Sequence, residues 1–441
     1  MFAAILAGVL AFGPLPQDRG SEPSHGSEPS RGSEPSHDRE GVVLKLPEKL
    51  RPLIDMVSAA PPEFGSQALE RMLESGGIGD QLTRRELIER AFQLAAQAHE
   101  RWRVRALPGA GPASFARERP GELWLDRLSL QTRAVRLMLF VDKTRARELF
   151  LEMPKPSPEP LTCDDWVAPD SAGFYTTLAL IFGQAFTPSE RAHEDDIHLV
   201  LDALGAITSP LQFQSALHMI NGLHVTPAQR RRLLAKLGTA MSTIPADDRS
   251  YQPVVAAITP GLPPELLPAM QVFMTSHSTA QVCGPSEPVP KEGEQSPEEK
   301  KVAADEMNLM FRGGTLISKA DRADADWQQR FDAFFAEMTA WQQGADESAS
   351  GYFHRKMLAY DGLLDVTPGP LRARLIDEMV AFAIESELQR ESPEEWFFEL
   401  RMAADRVRAS EAHGTDMLQG FERSGHPILV LEAALDRVLE K

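Results

Sequence analysis

The chain has few cysteines and lacks the short motifs that mark several common catalytic and metal sites. Its 441 residues include only Cys163 and Cys283 and no Cys-x-x-Cys pair, which excludes a structural zinc site built on cysteine. It has no Gly-Lys dipeptide, hence no phosphate-binding loop, and no Gly-x-Ser-x-Gly turn of the α/β-hydrolase type. These motif classes therefore suggest no catalytic residue, cofactor or metal for this chain.

The two cysteines leave two interpretations open. In an oxidising compartment a disulfide between Cys163 and Cys283 would close a loop of about 120 residues and add about 4–5 kcal/mol of stability in the chain-entropy model. In the other interpretation both residues are free thiols. The sequence does not decide between them.

Positive charge is also scarce. Lysine and arginine number 46 against 64 aspartate and glutamate residues, so the formal net charge is −18. An acidic surface repels phosphate backbones, and we expect no nucleic-acid partner. Two short basic clusters, at residues 101–105 and 230–232, are interpreted as solvated helix faces. The expected partner is a protein or another macromolecule of the cell envelope.

Long hydrophobic runs are missing, and we expect no transmembrane span. Residues 2–12 are apolar apart from one glycine, but eleven residues rise only about 16 Å as a helix, roughly half of a bilayer core. A short run followed by the small-x-small sequence at residues 11–13 is typical of a signal peptide. We therefore expect residues 1–13 to direct export, to the periplasm or outside the cell. The absence of a basic residue before the run keeps a cytoplasmic location as the alternative.

A hexapeptide repeat follows this run. Three copies of Gly-Ser-Glu-Pro-Ser-His/Arg begin at residues 20, 26 and 32. The repeat has no large apolar side chain whose burial would offset the entropy lost on ordering. Residues 14–40 are therefore predicted to be a disordered spacer.

What the remaining sequence has in abundance is helix-start signals. A capping box places Ser or Thr at the N-cap and Glu or Gln three residues later, so that each side chain accepts a hydrogen bond from an unpaired backbone N–H. Proline fits the first helical position because its missing N–H has no partner there. Boxes of this form begin at Thr83, Thr187, Ser209, Thr226, Ser296 and Ser392.

Apolar stripes with helical spacing follow several of these boxes. Such a stripe buries one face of a helix against its neighbours. No alternating strand of useful length is found, so the predicted fold is all-α. The stripes comprise Leu87, Ile88, Ala91, Phe92 and Ala95; Leu233, Leu234, Leu237, Ala240 and Met241; Phe331, Phe334, Phe335 and Met338, flanked by Trp327 and Trp341; and Trp396, Phe397, Leu400, Ala403 and Val407.

The spacing of the helix starts predicts an array of antiparallel helix pairs. Starts near Pro188, Pro210, Pro227, Asp248 and Pro263 give a pair period of about 36–40 residues, similar to the HEAT and tetratricopeptide solenoids. This resemblance concerns architecture only, because the tetratricopeptide consensus is missing. We predict an α-solenoid-like body at residues 41–283, a linker rich in Pro, Gly and Glu at 284–296, and a C-terminal helical unit at 297–441.

The densest polar group lies at residues 190–198. Zinc-binding helices of metalloproteases need histidines at positions i and i+4, whereas His198 follows His193 by five residues. The pair Glu190 and His193 matches half of a carboxylate-bridged di-iron pattern, which needs a second such pair. Glu190, His193 and His198 are therefore weak metal candidates only, and no cofactor is assigned.

The sequence predicts an exported helical-repeat scaffold or binding protein that contacts another protein or envelope macromolecule. This prediction rests on the apolar leader, the spacer and the helix-pair period. The alternative is a hydrolase or lyase whose carboxylate and histidine site lies in a cleft between helices. No residue is assigned a catalytic role in either case.

Overall fold

The prediction of an all-α fold is confirmed, because the described residues are mostly helical. Residues 1–45, which include the expected leader and spacer, and the expected linker at 284–296 lie outside them. The computed structural model describes residues 46–100, 102–106, 123–159, 161, 167–244, 262–278, 326–344, 349–364, 367, 369–387, 396–398, 400–402, 404 and 414–439.

The helices follow one another with short connections in the longer described segments. Short 3-10 turns at Glu48–Leu50, Pro210–Gln212 and Pro264–Leu266 lead into three of them, and residues 396–398 and 400–402 are also helical. The α-helices are α1 Arg51–Ala59, α2 Pro62–Glu74, α3 Gln81–Ala95, α4 Arg127–Leu139, α5 Lys143–Glu152, α6 Ala172–Gln184, α7 Pro188–Ala192, α8 Asp195–Gly205, α9 Phe213–Gly222, α10 Pro227–Thr243, α11 Leu267–Ser278, α12 Trp327–Ala340, α13 Ala349–Leu364, α14 Gly369–Glu387, α15 Gly414–Ser424 and α16 Pro427–Leu439.

Two three-residue strands interrupt the helices. Strand β1 (Val104–Ala106) pairs antiparallel with β2 (Val167–Pro169). The interpretation of the basic cluster at 101–105 as a helix face is therefore wrong: Arg105 lies in β1, and the Arg103 carbonyl accepts a hydrogen bond from Asp170 N at 2.8 Å. Each strand contains a β-branched valine, and their pairing joins positions more than 60 residues apart, which local sequence patterns do not reveal.

The capping boxes at Thr187, Ser209 and Thr226 are confirmed. At Thr226 the hydroxyl oxygen accepts a hydrogen bond from Gln229 N at 3.2 Å, and the Gln229 side chain accepts one from Thr226 N at 3.0 Å. Ser209 opens a 3-10 turn ahead of α9 rather than an α-helix. The boxes at Ser296 and Ser392 lie outside the described residues.

The prediction that a capping box begins at Thr83 is wrong. The N-cap of α3 is Asp80, whose carboxylate accepts a hydrogen bond from Thr83 N at 2.8 Å, so that Thr83 lies in the first turn. Asp126 and Asp142 cap α4 and α5 in the same way. Aspartate caps a helix as well as serine does, and here it displaces the expected start by three residues.

The predicted apolar stripes form much of the core. The stripe residues of α3, of α10 and of α12 from Phe331 to Met338 are buried, as are Trp396, Phe397 and Leu400. Two buried clusters contain these side chains, one drawn mainly from residues 46–273 and the other mainly from residues 331–433. Helix α16 contributes to both, with Leu431 and Leu435 in the first and Ile428 and Leu429 in the second.

The last helix packs against the first two. Most consecutive helices contact each other, and α16 also contacts α1 and α2 from the other end of the described chain. Helix α2 contacts α4 as well. This arrangement brings α2, α4, α16 and the helical residues near 400 around one surface pocket.

Candidate functional site

A pocket of about 420 Å³ lies where these elements meet, and four arginines line it. We call it the arginine pocket. Its lining consists of Gln67, Arg71, Leu123, Trp124, Arg133, Arg136, Phe397, Arg401 and Glu432. Its volume lies within the range of about 300–1,000 Å³ typical of small-ligand pockets.

Two of the arginines are held by carboxylates of α16. Arg71, in the last turn of α2, donates one hydrogen bond to Glu432 and one to Asp436, each at 2.7 Å. Arg401 contacts Glu432 and lies 3.2 Å from Asp436. Both carboxylates are buried, so these bonds are charge-assisted and shielded from solvent. They fix α16 against α2 and set one wall of the pocket.

The other two arginines come from α4. Arg133 and Arg136 are three residues apart and therefore lie on the same face of the helix. Arg133 Nε donates to Glu74 at 2.7 Å, and its Nη1 lies 3.5 Å from Glu70 Oε2. Arg136 has no hydrogen bond or ion pair with any of the residues that the structure describes. Burial, together with the charge of Arg133, lowers the pKa of Arg136, and the charges of Glu70 and Glu74 partly oppose this.

Glu70 lies behind Arg133 and is fully buried. Neither of its carboxylate oxygens has a hydrogen-bond partner among the described residues. Burial raises the pKa of Glu70 well above its usual value, and the charge of Arg133 only partly opposes this. Burial therefore disfavours the charged form of Glu70 relative to a carboxylate in water.

Trp124 lies at the rim of the pocket with an unusual backbone. Its φ is 59°, in the left-handed region that a bulky residue adopts only at a cost of about 1–3 kcal/mol. Its side chain is 40% exposed, and the Arg103 guanidinium lies 4.0 Å from the ring centroid. Gln67 donates a hydrogen bond to the Leu123 carbonyl. Strained conformations of this kind are concentrated at functional sites. Here the strained residue contributes an indole to the lining of the pocket.

The weak metal candidates lie on two helices rather than one. Helix α7 ends at Ala192, and Glu194 begins α8 in a left-handed conformation with φ 58°. Glu190 completes the Thr187 capping box and pairs with Arg147 at 2.7 Å, and the resulting hydrogen bonds lower the pKa of Glu190 to about 2. Residues 190–198 therefore do not form the single helix that a metalloprotease zinc motif needs.

The two candidate histidines are exposed. His193, the C-cap of α7, has its Nδ1 2.8 Å from the carbonyl oxygen of Ser189 in the same helix. Within the described ranges, no three His, Cys, Asp or Glu side chains are grouped closely enough to hold a metal ion. Cys163 and Cys283 lie outside these ranges, so both interpretations of the cysteines stay open.

Comparison with protein families, with curated proteins and with solved structures gives no match for this chain. In the part of the chain that the structure describes, no helix has the length and apolar character needed to cross a bilayer. The function must therefore be inferred from the chemistry of the arginine pocket itself.

The burial of Glu70 predicts a specific pH dependence. Since the folded state holds its proton more tightly than the unfolded chain does, its contribution to stability is full below the unfolded pKa and is lost as pH rises through the folded pKa. Glu70→Gln should therefore gain stability relative to the parent as pH rises, by about 1–3 kcal/mol. Urea unfolding between pH 4 and pH 8 measures this difference.

The matched control is Glu74→Gln. Glu74 also binds Arg133, but its side chain is exposed. This variant should show no comparable gain at high pH, since no buried charge is removed. An equal gain in stability at high pH in the two variants would contradict burial of Glu70 as the cause of that gain.

Proposed function

We propose that this chain is an exported, non-catalytic helical scaffold that binds an anionic group of its partner in the arginine pocket. The main support for this proposal is that four guanidinium groups converge on one pocket of a chain whose net charge is −18. Arginine binds carboxylate and phosphate through charge-assisted, often bidentate hydrogen bonds. In so acidic a protein, such a pocket would concentrate anion affinity at one place.

Arg136 supports binding rather than a purely structural role for the cluster. Arg71, Arg133 and Arg401 each pair with carboxylates of this chain. Arg136 is half-buried at the pocket and pairs with none of the described residues. A desolvated cation is costly unless it is paired, so an external anion would satisfy it.

The helical framework supports the scaffold proposal. Alternate helices α2, α4, α6, α8 and α10 each contact the next one in this series, as expected for stacked helix pairs. We propose that these pairs are antiparallel and form the solenoid-like body, with residues 284–296 as a linker. The contact of α16 with α1 and α2 would then cover one end of the stack.

The alternative, a hydrolase or lyase site, would need a carboxylate and a histidine held in one cleft. Among the residues that the structure describes, the lining of the arginine pocket includes no histidine, and its carboxylate, Glu432, binds Arg71 and Arg401. Binding is the function that this chemistry supports better. Export is proposed from the apolar run at residues 2–12, and N-terminal sequencing of protein recovered outside the cytoplasm would test it.

Binding of small anions tests the proposed function. A ligand that binds only the folded state raises its stability by mass action, so sodium benzoate or sodium phosphate at about 100 times its dissociation constant should add about 2.7 kcal/mol. We expect the melting temperature of the parent protein to rise with one or both salts, at constant ionic strength set with chloride. Arg136→Gln should abolish the rise, and scanning calorimetry measures both.

The matched control is Arg231→Gln, which removes an exposed arginine from α10. It should respond to the anions as the parent does. Absence of any anion effect in the parent, or an equal effect in Arg136→Gln, would contradict the proposal.

A further inference from the structure

We infer that the ligand of the arginine pocket is a carboxylate monoanion that carries an aromatic or branched apolar group. This inference rests on the proposed function and specifies its ligand. Two features of the pocket carry it: the amount of positive charge left unpaired, and the apolar part of the lining.

The unpaired charge matches one negative charge. Arg71 and Arg401 face two carboxylates, Glu432 and Asp436, and their positive charge is balanced within the chain. Arg133 pairs with Glu74, whose side chain is exposed. Glu70 faces the same guanidinium, because its Oε2 lies 3.5 Å from Arg133 Nη1.

Arg136 is therefore the guanidinium left for a ligand. Its planar fork can bind both oxygens of one carboxylate. A phosphate dianion would bring a second negative charge into a pocket that already contains the Glu432 carboxylate, and like charges repel more strongly in a partly buried site than in water. A monoanion avoids this repulsion.

The apolar part of the lining selects what is attached to the carboxylate. Leu123, Trp124 and Phe397 line the same pocket as Arg136. Phe397 is buried and packs edge-to-face against Phe64 at 5.0 Å, so its ring is fixed in place. Trp124 is held in its strained conformation at the rim. A flat or branched apolar group beside the carboxylate would contact these side chains and be removed from water.

Two sources fit this chemistry: a free aryl or branched carboxylic acid, and the C-terminal residue of a peptide. Calorimetric titrations of the full chain at pH 7.5 distinguish these sources. Phenylacetate and acetate test the apolar group, and phenyl phosphate tests the charge. N-acetylphenylalanine and its amide test a peptide end.

We expect phenylacetate to bind at least about tenfold more tightly than acetate, and phenyl phosphate to bind no more tightly than phenylacetate. Arg136→Gln should weaken phenylacetate binding by about tenfold or more, because a charge-assisted hydrogen-bond pair is lost. Arg231→Gln should leave it unchanged. If N-acetylphenylalanine binds more tightly than phenylacetate while its amide does not bind, the ligand is a peptide end; the reverse order identifies a free acid.

Three results would overturn the inference. Phenyl phosphate binding about tenfold more tightly than phenylacetate, with loss in Arg136→Gln, would show a dianion site and leave the proposed function intact. Equal affinities for acetate and phenylacetate would show that the apolar lining does not contact the ligand. If no anion binds the parent protein, both the ligand class and the proposed function fail.

Discussion

Asp436→Ala is expected to lower the free energy of unfolding by about 3–5 kcal/mol. The Asp436 side chain is 1% exposed and accepts a hydrogen bond from Arg71 at 2.7 Å, with Arg401 at 3.2 Å. Removing it leaves two partly buried guanidinium groups with Glu432 as the acceptor that they still share. Urea unfolding followed by circular dichroism measures the loss.

The matched control is Asp377→Ala. Asp377 pairs with Arg423 at 2.6 Å, but both side chains are almost half exposed. Exposed pairs contribute about 0–1 kcal/mol, so this variant should change the free energy of unfolding very little. If the two alanine variants lose similar amounts, the buried network does not fix α16 against α2.

Gly420→Val is expected to lower the free energy of unfolding by about 3 kcal/mol. Helices α15 and α14 approach so closely that a methyl group added at Gly420 would overlap Cγ2 of Ile376. Ile376 is fully buried, and its Cγ2 is bonded directly to Cβ, so it can move only if χ1 or the backbone changes. The variant therefore forces the two helices apart. Chemical denaturation measures the effect.

Gly183→Val is the matched control in α6. A Cβ there meets no atom within 4 Å, and the residue is exposed, so we expect a change of less than about 0.5 kcal/mol. Combining Gly420→Val with Ile376→Ala should recover part of the loss, because the overlap is removed. A fully additive double variant would show that the close approach is not the cause.

The all-α fold could be predicted from the sequence because helix formation here is signalled locally. The box at Thr226 and the stripe from Leu233 to Met241 each depend on residues within one helix. The caps at Asp80, Asp126 and Asp142 carry only the first half of the capping-box signal. An aspartate N-cap without Glu or Gln three residues later is a weaker local signal, and Thr83, Ser129 and Arg145 occupy those positions in α3, α4 and α5.

The break between α7 and α8 could not be predicted in this way. Glu194 adopts a left-handed conformation, a position where glycine or asparagine would signal a helix end. Its carboxylate accepts hydrogen bonds from Arg232 and from Gln229, at 3.1 Å in the latter case, and both residues belong to α10. These contacts lie 35 or more residues away in the chain, so a local pattern cannot reveal them.

The arginine pocket was missed for the same reason. Its lining runs from Gln67 to Glu432, and the spacing of Arg133 and Arg136 is its only local signal. The basic residues are denser in the sequence at 101–105 and 230–232. Of these, Arg232 pairs with Glu194, and Arg103 stacks on Trp124 at the rim. Convergence of arginines from α2, α4 and the residues near 400 depends on the return of α16 to α2.

A fluorine NMR titration tests the anion pocket most directly. The chain contains six tryptophans, which can be labelled as 5-fluorotryptophan, and Trp124→Phe identifies the Trp124 resonance. Saturable movement of that resonance with phenylacetate, and its loss in Arg136→Gln, is the predicted result. A Trp124 resonance that stays fixed while phenylacetate saturates the protein would contradict an anion site at this pocket.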